Sequence, residues 1–169
     1  YPDGYDVLEV ETGKVVVREK VSAPVVDAVF VGTTVMGACN SDQVRRWNLS
    51  NQKFLESISA KKPFDVGPVA LSADGSLGAT DEGVWDTESG EMVAELENPF
   101  APMDLAFSPD GRYLAVPFVD GAIWIRDLKT RGNFKRFGHQ GAVRAVFWGP
   151  RGLYSAGDDC TAVLWDTTP

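Results

Sequence analysis

Apolar residues along this chain come in short runs, each only long enough for a strand, with turn-forming residues between them. Val25–Val31, Val35–Cys39, Val44–Trp47 and Phe54–Ile58 follow one another, with Asn40-Ser41-Asp42 as a turn between the second and third. The runs are rich in β-branched and aromatic residues, which favours strands, and no stretch carries a convincing helical period. The pattern then repeats. The apolar residue that closes the first strand of each unit falls at Phe30, Leu71, Phe107 and Trp148, spaced 41, 36 and 41 residues apart. Turns follow each one, most plainly Ser108-Pro109-Asp110-Gly111, where proline presets φ, Asp bonds its own backbone and Gly accepts positive φ. A second landmark at the end of each third strand falls at Leu8, Trp47, Trp85, Arg126 and Trp165, spaced 39, 38, 41 and 39 residues apart. Two landmarks that keep one period predict a repeat architecture of about 40 residues per unit.

Read on this period, residues 1–20 are the tail of a unit, 21–60 a complete unit, 61–97 a shortened one and 98–137 a long one. Residues 138–169 form a unit that stops after its third strand. The count is 17 strands. In the shortened unit Trp85 follows Leu71 by 14 residues, against 17 between Trp148 and Trp165. The difference lies around Thr80-Asp81-Glu82-Gly83, as a shortened hairpin or as residues missing from the chain.

The last unit is the most complete in motif. It opens with Gly138-His139, passes through the small-residue strand Leu153-Tyr154-Ser155-Ala156-Gly157 and the turn Asp158-Asp159-Cys160, and ends at Leu164-Trp165-Asp166. It resembles a repeat of the WD-repeat family of β-propellers. The resemblance implies an all-β fold of four-stranded antiparallel blades, with four to five blades represented. The ring would be incomplete, or part of a larger propeller, seven-bladed as in the family's rings. It implies a structural tetrad of His139, Ser155, Asp159 and Trp165, and a non-catalytic protein–protein interaction scaffold within a multiprotein assembly. Two alternatives stay open: a regulatory or sensor propeller fused to a catalytic domain outside this chain, and a propeller enzyme with its site at the central channel.

Composition narrows these readings. The 24 acidic and 16 basic residues give a net charge of −8, which disfavours direct nucleic-acid contact. Arg45-Arg46 and Lys61-Lys62 are short basic pairs read as solvated. Two cysteines and one histidine form no zinc pattern, and no glycine-rich nucleotide loop is present, so no cofactor or metal is expected. No apolar run approaches the length of a membrane span, and a reducing intracellular setting, cytoplasmic or nuclear, is expected. The chain begins at Tyr1 rather than Met, so the lack of a visible signal peptide settles nothing. Ser155, His139 and Asp159 superficially form a hydrolase triad, but no Gly-x-Ser-x-Gly elbow accompanies them and Trp165 accounts for their register.

The resemblance places partners on the loops that join fourth to first strands and second to third strands. Those loops carry Phe64, Phe100 and Phe118 with Asp42, Asp81, Asp120 and Asp158, a mixture suited to a basic, amphipathic peptide. Trp124 is a further candidate contact, or a residue buried between blades. Arg126, standing where the family has tryptophan, is expected to pair with Asp127 or swing outward. The single histidine confines the tetrad to the last unit, so the others are expected to be softer. The ring is expected to be completed by another chain or a further segment, with a strand docking on the open edge Thr161–Trp165.

Overall fold

Every regular element that the computed structural model describes is a strand. It describes residues 4–8, 11–20, 25–31, 34–39, 43–48, 50–51, 53–54, 58–59 and 68–166. The strands are β1 (Gly4–Leu8), β2 (Val15–Lys20), β3 (Val25–Val31), β4 (Thr34–Cys39), β5 (Gln43–Asn48), β6 (Lys53–Phe54), β7 (Ile58–Ser59), β8 (Ala70–Leu71) and β9 (Leu77–Ala79). They continue with β10 (Gly83–Asp86), β11 (Met92–Glu95), β12 (Ala106–Phe107), β13 (Tyr113–Pro117), β14 (Ala122–Asp127), β15 (Asn133–Phe137), β16 (Val143–Gly149), β17 (Gly152–Gly157) and β18 (Ala162–Trp165).

All pairings are antiparallel between strands adjacent in sequence, except that β6 and β7 both pair with β5. The result is a two-stranded sheet β1–β2, a first blade β3–β7, a second β8–β11, a third β12–β15, and a last blade of three strands, β16–β18. First strands of successive blades adjoin one another, β3 with β8, β8 with β12 and β12 with β16. This is the stacking of propeller blades.

The core lies between blades, because a four-stranded sheet has two faces and a neighbour on each. Met36 of the first blade meets Val69, Leu71 and Trp85 of the second. Ala70, Ala79, Val84 and Leu96 of the second meet Leu105, Phe107, Leu114, Val116 and Phe118 of the third. Ala115, Ile123 and Ile125 of the third meet Val143, Val146, Leu153 and Trp165 of the last. Period-2 alternation sends Leu114 and Val116 one way and Ala115 the other, so β13 is buried on both faces. In β17, by contrast, Leu153 and Ser155 are buried while Tyr154 and Ala156 are not, as befits a terminal blade.

The turns follow their residue chemistry. In the third blade Ser108 Oγ donates to Asp110 Oδ1 (2.6 Å) and accepts the Tyr113 N–H (2.8 Å). Ser72, Asp74 and Leu77 repeat that pattern in the second blade. Gly75 and Gly111 sit at φ 72° and 69°, where a side chain would be strained. In the shortened unit Asp81 and Glu82 close a tight turn, with the Thr80 N–H donating to Gly83 O (2.9 Å).

Candidate functional site

Ser155 stands at the centre of the last blade's polar interior. The Trp165 Nε1–H donates to Ser155 Oγ at 2.7 Å, and Ser155 Oγ lies 2.7 Å from His139 Nε2. His139 Nδ1 lies 3.0 Å from both carboxylate oxygens of Asp159. Indole nitrogen is only a donor and carboxylate only an acceptor. The chain is therefore satisfied when Ser155 donates to His139 Nε2 and His139 Nδ1–H donates to Asp159. Asp159 also accepts the Gln140 N–H (2.8 Å) and the hydroxyl and N–H of Thr161 (2.8 and 3.0 Å). The Gln140 amide, with His139 and Thr161, holds its carboxyl well below the ordinary carboxylate range.

The enclosure is tight. A Cβ on Gly138 would meet the Trp165 ring at 2.8 Å, and one on Gly157 would meet His139 Nδ1 at 2.7 Å. Ser155 is 2% exposed, and its oxygen is already engaged by Trp165. The four residues expected as a tetrad are thus brought together as a buried relay that ties the loop at His139 to β17 and β18.

The third blade fills the same space differently. Asn98 precedes Phe107 by nine residues, as His139 precedes Trp148. Arg126 occupies the register of Trp165 and is 8% exposed. Its guanidinium donates to Asn133 Oδ1 (3.0 Å), Glu97 O (2.9 Å) and Asn98 Oδ1 (3.2 Å). Asn98 Nδ2 in turn donates to Asp81 O at 2.7 Å, linking the third blade to the second. Burial pushes the Arg126 pKa down, partly offset by Glu97. The expected pairing of Arg126 with Asp127, or an outward swing, is therefore corrected. Adjacent strand residues face opposite sides, and Asp127 pairs instead with Arg112 at 2.7 Å. Sequence reading missed this network and the Thr161 contact; the shared nine-residue offset of Asn98 and His139 was the available signal.

The loop candidates separate. Phe118 was expected on an exposed loop but is 0% exposed. Its backbone continues the strand geometry of β13, with its N–H donating to Ala122 O, and its ring packs into the interface with the second blade. Trp124 is partly buried against that same cluster, edge-on to Phe118, with Lys135 Nζ 4.1 Å and the Arg126 guanidinium 5.0 Å from its ring centre. Asp120 caps its own turn by accepting the Ala122 N–H (3.0 Å). Asp158 forms an exposed ion pair with Arg144 at 2.6 Å. Phe64, Asp42 and the Lys61-Lys62 pair lie outside the described residues. Asp81 and Phe100 come together on the wall of an open cleft of about 470 Å³ between the second blade and the loop entering the third.

Among the described residues no group of three His, Cys, Asp or Glu is placed to hold a metal ion, and no helix is long and apolar enough to cross a membrane.

The WD domain, G-beta repeat family model matches residues 131–166, the span that contains the relay. Protein HIR1 of Cryptococcus neoformans is 40% identical over 126 residues, covering 72% of this chain and 14% of that protein. A WD repeat-containing protein, SL1-17, of Schistosoma mansoni is 29% identical over 150 residues, covering 83% of this chain and 49% of that protein. A U3 snoRNP-associated protein-like protein of Arabidopsis thaliana, EMB2271, is 30% identical over 159 residues, covering 75% and 33% respectively. The chain thus spans at most about half the length of these relatives. With stacked antiparallel blades, a repeat match centred on the last of them and WD-repeat relatives along most of its length, the chain belongs to the WD-repeat family of β-propellers.

Proposed function

We propose that this chain is a non-catalytic protein-interaction scaffold, acting within a larger multiprotein assembly in the cytoplasm or nucleus. The observation that carries the reading is the enclosure of the Ser155–His139–Asp159 array. Its hydroxyl is engaged by Trp165 and closed to solvent, so this hydrolase-like arrangement serves rigidity. Rigid scaffolds present their loops for recognition. One relative is, by its name, a U3 snoRNP-associated protein-like protein, a member of an assembly. The net charge of −8 favours protein partners over nucleic acid. Another chain or a further segment would complete the ring beside the last blade, whose outer strand β18 pairs only with β17 among the described residues.

The test is affinity purification of the tagged chain from cell extract, followed by size-exclusion chromatography and mass spectrometry. The expected result is a fixed set of proteins co-eluting at constant ratio. Elution of the chain alone would overturn the reading, as would hydrolytic turnover of a model ester abolished by Ser155→Ala.

A further inference from the structure

We propose that the cleft between the second blade and the loop entering the third takes a short basic segment of a partner protein, one with an apolar side chain beside its Lys or Arg. The proposal rests on the scaffold reading above and gives that scaffold one defined docking site.

Three observations converge on the cleft. The first is its composition. Met92 and Phe100 are 45% and 50% exposed, and Leu96 and Pro102 lie buried beside them in its lining. Asp81, Glu82 and Glu95 frame these apolar groups.

The second is the charge left over. Asp6, Asp127 and Asp158 are each taken by an arginine. The carboxylates of Asp81 and Glu95 have no cationic partner among the described residues, and no metal-binding group of three ligands is formed there. Carboxylates at a half-apolar surface repel phosphate and attract ammonium or guanidinium, which selects a basic protein segment over a nucleic acid. A second copy of this chain, itself at −8, starts with an unfavourable long-range charge. The Phe100 ring offers a face for the aliphatic stem or cation of such a residue.

The third is preorganisation. The Leu96 N–H donates to Glu82 O (2.8 Å), tying the end of the second blade to its short turn. Asn98 holds Asp81 O, and the buried Arg126 holds both Asn98 and Glu97 O. Both walls are therefore fixed before a ligand arrives, which lowers the ordering cost of binding. Arg126 is a positioning residue: it touches no ligand but fixes the wall that does.

The probe is a short fluorescein-labelled peptide alternating arginine and leucine, titrated by fluorescence anisotropy against the purified chain at low and high salt. Asp81→Lys and Glu95→Lys should each weaken binding about ten-fold at low salt, and Phe100→Ala by several-fold. Glu88→Lys, an exposed acid remote from the cleft, should leave affinity within about two-fold. Arg126→Lys, which keeps the charge but not the forked geometry, should weaken binding while leaving its salt dependence unchanged. Equal weakening by Glu88→Lys and Glu95→Lys would reduce the effect to net charge and overturn the proposal, and so would an unchanged affinity in Phe100→Ala. Circular dichroism of each variant confirms folding. If the Asp81→Lys/Phe100→Ala double variant keeps its full set of co-purifying proteins while losing the peptide, the cleft proposal fails and the scaffold reading stands. If the wild-type chain elutes alone from extract, the scaffold reading itself fails.

Discussion

Replacing Ser155 by Ala would strand two polar groups at once, the Trp165 indole N–H and His139 Nε2, in space closed to water. A cost of about 1–3 kcal/mol is expected from a buried group left unsatisfied. Urea unfolding should show it, and the Ser155→Ala/Trp165→Phe double variant should cost less than the two single losses added together. The acid side of the stability curve belongs to the same residues. Asp159, through Gln140, His139 and Thr161, and Asp127, through Arg112, both have folded pKa values below the ordinary 3.8. The folded state then binds protons more weakly than the unfolded state. The stabilisation is full above that value and drains away as pH falls through the lower folded values. Asp104 opposes this modestly, because burial raises its pKa. The urea midpoint should fall between about pH 5 and about pH 3, and Asp159→Asn should lower it at neutral pH while making the acid decline shallower.

At the scale of the element, each blade is held by what its neighbour inserts. Trp148 of β16 lies nearly parallel to Tyr113, with ring centres 6.2 Å apart, and its Nε1–H donates to Ala106 O of the third blade (3.0 Å). Asp104 accepts the Val146 N–H across the same boundary (2.9 Å). Trp148→Ala should cost about 3 kcal/mol and loosen the last blade ahead of the others, detectable as earlier amide exchange in β16–β18. Inside the second blade, a methyl on Gly78 would run into the Trp85 ring. Gly78→Ala should therefore destabilise by about 1–3 kcal/mol in urea unfolding, although alanine is otherwise tolerated in strands. These elements were largely readable in the sequence. Ser-Pro-Asp-Gly names its own turn, and strand alternation repeats at a fixed period. Side-chain direction at strand ends was less readable. Phe118 looked like a loop residue because Val119-Asp120-Gly121 follows it, yet it continues the Leu114–Val116 face. Arg126 looked like a partner for Asp127 because sequence adjacency does not display which face each takes.

Across the whole molecule, the blade interfaces form a series that the last blade leaves open among the described residues. Phe147, Tyr154 and Leu164 stand in register on its outward face, with Phe147 58% and Leu164 40% exposed. The matching row of the third blade is Ala106, Ala115 and Ile125, which packs against the last blade. An uncovered row of this kind favours association. Sedimentation velocity should show concentration-dependent species for the 169-residue chain, diminished by Phe147→Asp with Leu164→Asp. The sequence carried the period but not this face, because exposure depends on what stacks beyond β18. The cleft at Asp81 and Phe100 was half readable: the residue types stood out, but their meeting depends on the Arg126–Asn98 link between blades.

The chain has one histidine, and the relay uses it. Imidazole nitrogen resonances of the uniformly labelled protein therefore come from a single ring, without overlap or assignment. Their shifts read directly which nitrogen carries the proton, and their response to a bound protein, to acid or to a distant substitution reports whether the last blade has felt it. Spectroscopically, the least common residue in the sequence makes the interior of one blade a built-in gauge.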